Sequence, residues 1–75
     1  MTNEGDAKEN ALHEVLWLVA TAVRDACYSA ALSAYEDASI DGLCHDGARE
    51  CALAAMRELD YSSIVSKAIS DLPPD

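Results

Sequence analysis

The chain has 75 residues and a mass of 8.0 kDa, room for one small domain. Fourteen Asp and Glu oppose five Lys and Arg, a net charge of -9 with a pI near 4.3. That balance excludes the basic stripe that direct nucleic-acid binding needs and the Lys/Arg cluster that an anionic membrane surface attracts. Hydrophobic residues, at 51%, are too many for a disordered acidic tail.

The first six residues, MTNEGD, read as a frayed start, with Asp6 and Glu9 at the spacing of a capping box. A first helix is predicted over about 7–40, ended by Gly42. Its apolar stripe runs Leu12, Leu16, Val19, Val23, Ala26, Ala30, Ala34, Ala38. The first half is bulky and the second almost all alanine, which lets another helix approach closely. A break near Ser29 or Ser33 is the alternative to one continuous helix. Trp17 and Tyr28 lie off the stripe, and two readings stand: they widen the core face, or they anchor a partner.

A second helix is predicted over about 43–59, capped by Cys44 or Asp46. Its apolar face holds Ala48, Cys51, Ala52, Ala55, Met56 and Leu59. A third is predicted over about 61–72, capped by Asp60 or Ser62 and ended by Pro73 and Pro74. Its face holds Ile64, Val65, Ala68, Ile69 and Leu72. With fourteen alanines and only three Gly and two Pro, the class is all-α. The chain is expected to form a single domain over residues 1–75, a small three-helix bundle with one long N-terminal helix bracketed by two shorter ones. Alanine adds little burial, and a chain this short buries only about 60–65% of its unfolded surface, so self-association or a partner is expected to assist. The longest apolar stretch, Val15 to Val23, is about half the ~20 residues of a spanning helix, and no basic n-region opens the chain. A cytoplasmic protein with no membrane partner is the expectation.

Chemistry is sparse. Cys27, Cys44 and Cys51 are odd in number and read as reduced thiols, Cys44 and Cys51 as core residues. Cys44 and Cys51 are seven apart, about 10.5 Å along a helix, too far to share a zinc or a disulfide. No metal and no cofactor is expected. His45 beside Cys44 is a base in principle, but Asp41 and Asp46 would raise the thiol pKa, and the sequence holds no Gly-rich loop, G-x-S-x-G or P-loop. No catalytic residue is assigned and no enzyme activity is expected. His13 and His45 read as surface histidines.

The acidic region is the feature with physical consequence. Glu36, Asp37, Asp41, Asp46 and Glu50 crowd one segment, with Arg49 as its sole cation. Asp46 and Glu50 suit the start of the second helix. Glu36, Asp37 and Asp41 instead crowd the C-terminal end of the first, where the macrodipole disfavours anions by a few tenths of a kcal/mol each. Such local costs point to a partner, with a solvated turn as the plain alternative.

In size, charge and helical class the chain resembles small acidic inhibitors of phages and mobile elements, anti-CRISPR proteins among them. The resemblance implies an acidic inhibitor acting in the host cytoplasm. Its five carboxylates, Glu36, Asp37, Asp41, Asp46 and Glu50, would occupy the basic nucleic-acid-binding surface of a target such as a CRISPR surveillance complex. A second expectation is a non-catalytic assembly module, packing its helices with another copy as a homodimer or with an unrelated subunit. A third is a metal or redox sensor built on the three cysteines.

Overall fold

An alanine-rich sequence with no interior Pro forms helix readily. A computed structural model describes residues 4–72, with side chains from Glu9 onward. It consists of three helices: α1 Glu4–Ile40, α2 His45–Arg57 and α3 Tyr61–Ser70. The described residues contain no strand, and α1 runs unbroken through Ser29 and Ser33. Its start differs from the expectation. Residues 4–6 are helical rather than frayed, so Asp6 lies inside the helix and cannot be its cap, which requires non-helical backbone. The expected fraying of residues 1–3 and the Pro73–Pro74 stop fall outside the described residues.

The end of α1 is a Schellman turn. Gly42 takes φ +93°. Its N–H donates to the Ser39 carbonyl and the Leu43 N–H to the Ala38 carbonyl, both at 3.0 Å. The chain reverses there, and α2 returns antiparallel along the alanine half of α1. Ala38 and Ala48 are the only core residues among those described, 6% and 0% exposed. Small side chains permit this approach.

Between α2 and α3 the hydroxyl of Tyr61 joins all three helices. It donates to the Met56 carbonyl at the end of α2 and lies 3.4 Å from the Cys27 Sγ of α1. The Cys27 contact, with burial behind it, pushes the Tyr61 hydroxyl above its ordinary 10.0. This contact sets the level at which α3 begins, and α3 then continues toward the N-terminal half of α1. Thus α2 and α3 each pack on α1, not side by side with each other. They lie end to end along one stripe, rather than bracketing α1.

The result is two layers, 62 × 22 × 14 Å, with a radius of gyration of 17.7 Å. A compact domain of this length would have a radius near 11 Å. Val19, Val23, Ala26, Ala30 and Ala34 are half-buried under the short helices. Leu12 and Leu16, the bulky start of the same stripe, are not covered.

Candidate functional site

Two surfaces compete as functional sites: an acidic end and a bare apolar half of α1. At the acidic end, Glu36, Asp37, Asp41, Asp46 and Glu50 are all exposed. Among the described residues the salt bridges are Arg24–Asp25 at 3.0 Å and Lys67–Asp71 at 3.5 Å, so the five carboxylates have no cationic partner there. The last turn of α1 contains no basic residue. Asp41 is the residue after α1, its N–H donating to Asp37 at 3.0 Å.

The five do not share one face. Ala38 is buried against α2 and Ala34 half-buried. Glu36 stands two residues from each, about 200° round the helix, and therefore points away from α2. On α2, Ala48 is fully buried against α1, and Asp46 and Glu50 stand two residues either side of it. They point away from α1 by the same rotation. The fold thus puts Glu36 on one side of the molecule and Asp46 with Glu50 on the other. Asp37 and Asp41 lie between, at the turn end. Asp46 sits in the first turn of α2, where its charge suits the helix N-terminus.

Next to this end is a contact that pattern reading missed. Tyr35 Oη and His45 Nδ1 are 2.7 Å apart, with the rings edge-on at 5.7 Å. It joins α1 to the first residue of α2. Ten residues of separation across a reversal left no periodic signal. Cys44 is a second correction: it is the N-cap of α2, exposed rather than core, and its side chain makes no cap bond. The cap lies outside the helix, so its side chain does not follow the buried face. Cys27 and Cys51 are half-buried. Among the described residues no group of three or more His, Cys, Asp or Glu is placed to hold a metal ion.

The second surface is apolar. Leu12, Leu16 and Trp17 are 59%, 58% and 59% exposed, and Tyr28 is 70% exposed. Trp17 and Tyr28 therefore do not widen the core face. Ile69, placed by its spacing on the inner face of α3, is half exposed as well. Together with half-buried Val15, Leu18 and Val19, Leu12, Leu16 and Trp17 spread apolar surface round much of this half of α1, with His13 and Glu14 exposed among them. A helix of that kind is ordinarily enclosed. Within Glu9–Ile40, α1 also contains an 18-residue window with the mean hydropathy (1.3) of a membrane-crossing helix, because the alanines extend the short apolar run.

Comparison of the chain with protein-family models, with curated proteins and with solved structures finds no match.

Proposed function

We propose that this chain is a non-catalytic helical interaction module that docks through the N-terminal half of α1. The observation that carries this reading is the exposure of Leu12, Leu16 and Trp17, which α2 and α3 leave uncovered. Large apolar patches left open at this scale ordinarily mark a binding surface. Membrane insertion of α1 is a poorer use of the same residues. Arg24 and Asp25 would stand mid-span, each costing about 3 kcal/mol at the centre of a bilayer. Moreover, one face of α1 already carries α2 and α3.

A second reading is the acidic inhibitor of a basic nucleic-acid-binding complex, a CRISPR surveillance complex being one such target. The observation favouring it is that Glu36, Asp37, Asp41, Asp46 and Glu50 are all exposed with no ion-pair partner among the described residues. Their division between two faces suits a channel with basic walls on both sides better than a flat strip. The net charge of -9 would speed encounter with such a channel in either case.

One experiment separates the two. The protein is used as bait in bacterial lysate at low and high salt, beside a Leu12→Glu/Leu16→Glu variant and a Glu36→Gln/Asp37→Asn/Asp41→Asn variant. A partner held at high salt and lost with the leucine variant supports the module. A basic partner lost at high salt and with the neutralised variant supports the inhibitor and overturns the module.

A further inference from the structure

We propose that the exposed apolar face in the N-terminal half of α1 docks a cationic amphipathic helix of another protein. This occupant presupposes the interaction-module reading and gives its partner a chemistry.

The face is apolar with a negative rim. At about 100° per residue, Leu12, Leu16, His13 and Trp17 together span roughly 140° of the α1 circumference. All four are exposed, and half-buried Val15 and Val19 lie beyond the Leu12 edge. Glu9 stands on the same side as Leu16, two turns earlier, and Glu14 about 60° beyond Trp17. Both carboxylates are exposed. From Glu9 to Ile40, α1 has one cation, Arg24, and it lies 3.0 Å from the Asp25 carboxylate. From Glu9 onward, therefore, α1 offers an incoming carboxylate no unpaired cation.

Charge then chooses among the occupants of such a face. Residues 4–14 hold four carboxylates and one Lys, and the whole chain carries -9. A second copy would bring the same charge to the same edge, and an anionic bilayer would add more of it. An apolar stripe flanked by Lys and Arg complements both the face and its rim. The shape calls for a helix. Leu12 and Leu16, one turn apart, form a ridge, and the ridges of a second helix fit beside it. From Glu9 to Ala20 the face is about 16 Å long, three turns of a partner. The apolar anchors hold such a partner at high salt, while the exposed rim pairs select it and speed its approach.

Trp17 is the single tryptophan of the chain, so its emission reports coverage of this face alone. The probe is a synthetic helix of about five turns with Leu at i, i+3, i+4 and i+7 and Lys elsewhere, beside matched peptides with Gln or Glu for Lys. The Lys peptide should shift Trp17 emission to shorter wavelength. The Gln peptide should bind at least about tenfold more weakly and the Glu peptide not at all. In a Glu9→Gln/Glu14→Gln variant the preference for Lys over Gln should fall about three- to tenfold. A Leu12→Ser/Leu16→Ser variant should weaken the Lys peptide about thirtyfold or more. Both leucines are exposed, so helical circular dichroism should persist in that variant.

Equal binding of the Lys and Gln peptides would overturn the proposal. So would a shift that survives the leucine variant and is lost with Glu36→Gln/Asp37→Asn/Asp41→Asn, which would place the peptide at the acidic end. A Trp17 shift produced by raising the chain's own concentration would give the face to a second copy, and one produced by phosphatidylcholine vesicles would give it to a bilayer; either overturns the cationic helix. If the Lys peptide leaves Trp17 unmoved, the cationic helix falls. The interaction module would then stand only if a salt-resistant partner is still lost with the Leu12→Glu/Leu16→Glu variant; otherwise both fall.

Discussion

Cys44 leads into α2 with extended backbone, φ -71° and ψ 170°, and offers its first N–H groups no side-chain acceptor. Serine at that position would supply one, so Cys44→Ser should stabilise the protein by about 0.5–1 kcal/mol in thermal or chemical unfolding. Asp60 shows the completed form of the same device. Its carboxylate accepts from the Ser63 N–H at 3.1 Å and the Ser63 hydroxyl at 2.7 Å. Bonding to the Ser63 hydroxyl, then to the backbone N–H groups, holds its pKa below the ordinary 3.8. A depressed carboxylate stabilises the folded state fully above its unfolded pKa and loses that contribution as pH falls through the lower folded value. Helicity of α3 should therefore decline as pH drops below 3.8. The Asp60→Asn variant should lack that step, as amide-resolved spectroscopy would show. Of the two caps that spacing allowed for α3, Asp60 rather than Ser62 is used: α3 begins at Tyr61, so Ser62 lies inside the helix, and the Asp60 side chain accepts from the Ser63 N–H of the first turn.

At the scale of elements, the contact between α1 and α2 depends on the absence of side-chain bulk. Ala48 has no exposed surface, and Ala38 almost none. Ala48→Leu should cost about 1–3 kcal/mol, read from the denaturant midpoint, because added methylenes must push the helices apart. The reversal before α2 depends on Gly42 for a different reason. A Cβ there would meet nothing within 4 Å, so space is not the constraint. The backbone is, with φ +93°, and Gly42→Ala should cost about 1 kcal/mol or more. Both positions were legible in the sequence, Gly42 as a helix stop and Ala38 with Ala48 as members of apolar faces. The element boundaries were legible to within a few residues for the same reason: caps and periodicity are local. The Tyr35–His45 and Cys27–Tyr61 contacts were not, since they join residues 10 and 34 apart through the reversal and the placement of α3.

For the whole molecule, charge and apolar surface act in opposite directions. A net charge of -9 on 75 residues repels itself in the compact state. Salt screens that repulsion, so the melting temperature should rise between about 10 and 150 mM NaCl at neutral pH, with the larger share of the gain lost in the Glu36→Gln/Asp37→Asn/Asp41→Asn variant. The sequence by itself determined the helical class, the three elements, their apolar faces and the accumulation of carboxylates between residues 36 and 50, because each follows from composition and spacing along one helix. Only the tertiary structure decided which apolar residues are covered. Two short helices laid end to end cover one side of α1 and leave Leu12 and Leu16, members of the same predicted stripe as buried Ala38, exposed. It also decided that Glu36 and Glu50 face opposite ways, because each stands two residues from an alanine buried in the shared interface, and half a helical turn reverses a side chain.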